Sequence, residues 1–187
     1  MVRFHQVVLL VSASLLAWLW MQAVHELGHV AAAWLTGGHV QQVVLHPLAI
    51  SRTDVEPNPC PLLVAWGGPM IGSALPLAAY GLAAALQPRA SWLARFFAGF
   101  CLLANGLYIG VGSFEGIGDA GDLLAQGAPR WSLWLFGLAT APAGLTMWNC
   151  LGRQFGLVRG APPVPPTLAY GCAACLAATL IVEMLAA

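Results

Sequence analysis

Charge is what this chain has least of. Only 7% of its 187 residues are Asp, Glu, Lys or Arg, against about 25% in an average soluble domain. The seven basic residues are scattered arginines, and seven acidic residues balance them to zero net charge. With no basic run, nucleic acid is not an expected partner. Hydrophobic residues make up 59% of the chain and mean hydropathy is +0.78, which is the composition of an integral membrane protein. That length leaves room for about four to six spans and no sizeable soluble domain. An internal repeat is also lacking. The five cysteines lie in apolar segments and say little about compartment. Cys172 and Cys175 form a CxxC, but their neighbours are small and apolar, so packing is the reading rather than redox or zinc chemistry. Arg3 and the apolar residues 7–20 begin as a signal peptide would, yet the apolar pattern continues to Leu35 with no convincing cleavage site. A retained first span is therefore expected.

The pattern predicts an all-α polytopic membrane protein of about five transmembrane helices, with a short membrane-associated β-hairpin after the first. The first helix is expected over residues 5–35, stopped by Gly37 and Gly38. It is too long for a ~30 Å hydrocarbon core, so it must tilt, bend or project beyond the membrane. Residues 39–46 are β-branched and partly alternating, and after Pro47 a second extended run covers 48–53. A polar, proline-rich loop, 54–61, carries Asp54 and Glu56 into solvent. Further spans are expected over 62–86, 91–111, 131–151 and 167–186. Between the third and fourth lies a glycine-rich, acidic stretch, 110–122. Irregular backbone is expected there, and it survives at membrane depth only beside protein or a water-filled cavity. The whole is read as a single membrane domain, 1–187, with its core over about 5–126.

Within the first apolar run stands His25-Glu26-Leu27-Gly28-His29. Four helical residues advance about 400°, which brings the two imidazoles one turn apart on one face. They can share a tetrahedral cation through neutral ring nitrogens, with Glu26 beside them to take a proton from metal-bound water. Such polar groups in a membrane-grade segment are costly unless they serve a function. A catalytic zinc needs a third protein ligand and an open position. His5 lies too near the start, and His39 and His46 fall in the hairpin, where they read as interfacial polar residues. Asp54 and Glu56 belong to the loop, and Glu183 to the end of a span. Glu115, Asp119 and Asp122 remain, three carboxylates within eight residues. They repel one another unless a cation or proton offsets them.

In matching order over about residues 20–126, the chain resembles the site-2 protease clan of intramembrane zinc metalloproteases, in its small, compact bacterial branches. The His25–His29 segment with Thr36-Gly37-Gly38 is similar to that family's His-Glu-x-Gly-His helix and glycine stop. The extended run is similar to its β-hairpin, and Gly67-Gly68-Pro69 to the Gly-Pro that opens its next core helix. Asp119-Ala120-Gly121-Asp122-Leu123-Leu124 resembles the Asp-Gly-Gly-x-x-Leu segment that supplies the third ligand. The resemblance implies one zinc per chain on His25, His29 and Asp119, with Glu26 as general base. It also offers Asn105 as a substrate or oxyanion contact. The match departs where the family's proline-containing pattern precedes the aspartate: residues 114–118 hold no proline, and Ala120 replaces the first glycine. Glu115 and Asp122 therefore stay open as alternative third ligands.

The implied activity is hydrolysis of peptide bonds in or near transmembrane segments of membrane proteins, in a bacterial cell membrane. A PDZ-like module and a nucleotide-binding domain are not expected. A locally unwound substrate could pair with the hairpin at 39–53 by β-augmentation. The alternative is a non-proteolytic membrane scaffold of the same fold that retains the metal; Glu26 favours the enzyme, since a structural site needs no base. Transport of zinc fits poorly with one buried site and no polar path. Arg3, Arg89, Arg95, Arg153 and Arg159 share one side against Arg52 and Arg130. The positive-inside rule thus favours a cytoplasmic N-terminus, the resemblance the reverse, and orientation stays open.

Overall fold

The computed structural model describes residues 2–186, and among them six α-helices and one two-stranded sheet. The helices are α1 (Val2–Thr36), α2 (Pro61–Leu86), α3 (Trp92–Glu115), α4 (Gly118–Ala125), α5 (Arg130–Trp148) and α6 (Pro166–Ala186); the strands are β1 (Val40–Val44) and β2 (Arg52–Val55). Helices α1, α2, α3 and α6 are long and apolar enough to cross a membrane. Helix α5, expected as a further span, has 19 residues and is not among them. The 35 residues of α1 make a rod of about 52 Å, well beyond a ~30 Å core.

Small residues set the helix packing. Along α3, Gly99, Gly106 and Gly110 face Gly137, Ala141 and Gly144 of α5. A Cβ added at Gly137 would stand 2.8 Å from the Gly106 carbonyl oxygen, and one at Gly144 2.6 Å from that of Gly99. Backbones approach closely only where side chains are this small. The same device joins α1 to α2, where a Cβ at Gly67 would lie 2.5 Å from the Gly28 carbonyl oxygen. Two apolar clusters complete the body. Leu9 and Ala13 pack on Leu151, Phe155, Val164 and Ala169. Ala65, Ile109, Ala120, Leu123, Ala128 and Leu133 form the second cluster, which locks α4 against α2, α3 and α5.

Two local expectations are corrected. The glycine-rich stretch 110–122 is not irregular: α3 runs to Glu115 and α4 begins at Gly118. Gly110 serves close approach to Gly137, so its lack of a side chain supports helix packing. Gly116 and Gly118 turn the chain at φ 65° and 52°, Gly116 as a left-handed C-cap whose N–H donates to the Gly112 carbonyl oxygen at 2.8 Å. In the hairpin the second strand is β2 at Arg52–Val55 rather than 48–53, because the residues after Pro47 form the connecting turn. The strands are antiparallel, with Val43 opposite Thr53 and an irregularity between Val40 and Gln42. Cys172 and Cys175 are free thiols on α6, half-buried and exposed respectively.

Candidate metal centre

Helix periodicity brings His25 and His29 onto one face of α1, and the glycine crossing decides what they meet. On α2, Gly68 lies directly against the two Nε2 atoms. A Cβ there would stand 2.6 Å from His25 Nε2 and closer still to His29 Nε2. Asp119 comes from the first turn of α4, held in place by the fully buried Ala120 and Leu123. His25 Nε2, His29 Nε2 and Asp119 Oδ2 converge as a group able to hold a metal ion. The separations are 3.1 Å between the nitrogens, and 2.6 Å and 3.3 Å from the carboxylate to His25 and His29. Donors around a tetrahedral zinc with bonds of ~2.0–2.1 Å stand about 3.3 Å apart. Two edges of the triangle have that size, and the third is contracted by a direct contact.

The outer nitrogens settle the protonation of the inner ones. His29 Nδ1 lies 2.8 Å from the Val64 carbonyl oxygen, which can only accept, so Nδ1 carries the hydrogen. His25 Nδ1 lies 2.6 Å from Asn105 Oδ1, and that amide is oriented by its own Nδ2 donating to the Cys101 carbonyl oxygen at 2.9 Å. In the neutral rings both Nε2 atoms therefore carry lone pairs, and they point at each other and at a carboxylate. Three acceptors this close, with no donor among them, fit a shared cation. At Asp119, burial opposes ionisation, but where the imidazoles are protonated their Nε2–H groups donate to the carboxylate, and these hydrogen bonds and the added charge outweigh burial. The carboxyl is held well below the usual carboxylate range.

The other candidates fall elsewhere. Glu115 is exposed at the C-terminal end of α3, and Asp122 is exposed on α4; neither joins the group. Asn105, expected as a substrate or oxyanion contact, is 1% exposed and uses Oδ1 on His25 and Nδ2 on Cys101. It is thereby a partner of a candidate ligand, and it also borders the cavity over the centre. Glu26 is 3% exposed, and its Oε2 accepts a hydrogen bond from Thr53 Oγ1 of β2 at 2.7 Å. The centre opens into a cavity of about 1030 Å³, lined by α1, α2, α3 and α4 and along one wall by residues 49–56. Asp54 and Glu56, expected in a solvated loop, are on that wall, and every residue of β2 but none of β1 contributes to it.

Four participants escaped the sequence reading. The Val64 carbonyl has no signature in sequence, since any residue supplies one. Thr53 gave no sign of facing Glu26, because the two are 27 positions apart. Gly68 was legible as a helix-opening glycine; that it lies against the imidazoles required the α1–α2 crossing. Tyr108, whose hydroxyl accepts the Asp119 backbone N–H at 3.2 Å, also lines the cavity, and its place one turn after Asn105 was the available clue. Over residues 4–110 the chain matches the family model described as Peptidase M50B-like. That stretch contains His25, Glu26, His29, Gly68 and Asn105 and ends before Asp119, whose place in the cluster rests on geometry. No curated protein matches the chain, and no solved structure does.

Proposed function

The chain belongs to the Peptidase M50B-like family, and from that membership we propose that it is an intramembrane zinc endopeptidase. Its substrates are membrane proteins, cleaved in or near a transmembrane segment. The observation that carries this reading is the meeting of His25 Nε2, His29 Nε2 and Asp119 Oδ2 beside a carboxylate, Glu26, that is not a member of the donor group. A purely structural site would need no such base.

His25, His29 and Asp119 would hold one zinc, which when bound supplies Lewis acidity toward a carbonyl and acidifies a water. Asn105 Oδ1 and the Val64 carbonyl keep the two Nε2 atoms unprotonated and aimed inward. With Oε2 engaged by Thr53, Glu26 has Oε1 to take a proton from the attacking water. The water oxygen bonds to the scissile carbonyl carbon, the carbon–nitrogen bond breaks, and Glu26 returns the proton to the leaving amine. A transmembrane helix hides its carbonyls in hydrogen bonds and must unwind locally to be cut. Because β2 lines the cavity and β1 does not, β2 offers the edge for an unwound substrate strand.

The test is zinc content of the detergent-purified protein, wild type beside Asp119→Ala, Glu115→Gln and Asp122→Asn, with Glu26→Gln assayed for peptide cleavage. About one zinc per chain is expected, lost only in Asp119→Ala, with cleavage abolished in a zinc-loaded Glu26→Gln protein. Zinc retained in Asp119→Ala would move the third ligand. A zinc-loaded wild type that cleaves no membrane protein would instead favour the scaffold.

A further inference from the structure

On the reading of Glu26 as the base, we infer that Thr53 is its positioning residue and that it ties the base to the hairpin. Glu26 is 3% exposed, and among the described residues the side chain that hydrogen-bonds its carboxylate is Thr53. Thr53 Oγ1 fixes Oε2 at 2.7 Å and also lies 3.5 Å from the Glu26 backbone carbonyl oxygen. A β-branched side chain in a strand has restricted χ1, so the hydroxyl follows the backbone of β2 closely. Among the described residues, the hairpin's other side-chain hydrogen bonds stay within it: Gln41 to the Glu56 carbonyl oxygen, Arg52 to Asp54, and His46 to the Leu48 N–H. Among the described residues, Thr53 alone carries a side-chain hydrogen bond from the hairpin to the helices, and it ends on the Glu26 carboxylate. An extended segment laid along β2 would therefore bear on the strand that holds the base, and loosening that strand frees the carboxylate to rotate away. Thr53 touches no reacting atom; it acts through Glu26.

The consequence falls on turnover rather than binding. A general base contributes about 10²–10⁴ in rate when placed. In Thr53→Val, which keeps shape and loses the hydroxyl, kcat should fall about 10-fold, with KM within about twofold and zinc content unchanged. Thr53→Ser should recover most of the loss. The probe is a single-span reporter polypeptide with a Gly-Pro pair in its span and fluorophores at its ends. A readout independent of turnover is amide hydrogen exchange over residues 52–55. It should rise in Thr53→Val and in Glu26→Ala alike, and the double variant should add nothing to either. Wild-type kcat in Thr53→Val, failure of Ser to rescue, or unchanged hairpin exchange overturns the inference while leaving the peptidase reading intact. A zinc-loaded wild type that leaves the reporter and other membrane proteins uncut overturns both.

Discussion

Replacing Gly68 by alanine adds one methyl group to a membrane helix, a change that composition alone would rate as harmless. The structure places that methyl 2.6 Å from His25 Nε2 and nearer still to His29 Nε2. The first of these is about 0.8 Å short of the 3.4 Å at which ordinary contact begins. Zinc–nitrogen bonds tolerate displacements of only about 0.2 Å. The imidazoles cannot retreat by that much, because each is tethered through Nδ1, to Asn105 and to Val64, and Val64 is on the same helix as Gly68. Helix α2 cannot retreat as a body without opening its contact with Gly28. Loss of a tether alone typically costs about 10–100-fold in metal affinity. Displacing the ligands themselves should exceed that, by more than about 100-fold, or about 2.7 kcal/mol. Two alanine substitutions on the same helix calibrate the effect. At Gly72 the new Cβ would lie 3.0 Å from Asn105 Nδ2, a strain on the tether of one ligand; at Gly81 it meets nothing within 4 Å. Zinc content and competition with a chelator of known affinity should rank the variants Gly81→Ala equal to wild type, Gly72→Ala weaker by up to about 10-fold, and Gly68→Ala without zinc. Folding is followed separately by circular dichroism and size exclusion in detergent. Full-affinity zinc binding by Gly68→Ala would refute the placement of the metal between α1 and α2.

Asn105→Leu removes the acceptor that fixes the His25 ring, so zinc affinity should drop about 10–100-fold with helix content unchanged; undiminished affinity would mean the amide holds nothing. The pH dependence follows from the lowered Asp119 carboxyl. A depressed folded-state pKa contributes stability above the unfolded value of ~3.9, lost only as pH falls through the lower folded value. Asp119 thus remains ionised at pH 4–6, and zinc release should not follow a single carboxyl titration near the ordinary value. A zinc-release curve with a one-proton slope centred near that value would contradict it.

Some of this was legible because it is local. His25, Glu26 and His29 are read from one turn of helix, and their spacing makes them neighbours in any fold that keeps α1 helical. The spans are legible because a 30 Å apolar slab imposes length and composition on each segment. The glycines of 110–122 misled because a glycine signals either a bend or a close neighbour: Gly116 and Gly118 bend the chain, whereas Gly110 lies against Gly137 of α5. Strand β2 was misplaced by two to four residues because hairpin register depends on where the turn closes, and Pro47 put that turn inside the expected strand.

The sequence by itself determined the membrane class, the order of the spans, and two imidazoles with a carboxylate on one turn of one helix. Tertiary structure decided everything that depends on partners distant along the chain. Asp119 stands apart from Glu115 and Asp122 because Ala120 and Leu123 are buried against α2, α3 and α5, which turns one face of α4 toward the imidazoles. Asn105 meets His25 because Cys101 orients its amide so that its oxygen faces the imidazole. Thr53 came to Glu26 because a hairpin folds back over the helix that precedes it. Helical and strand periodicity can be read along the chain, but which faces meet depends on packing between elements, and no single segment encodes it.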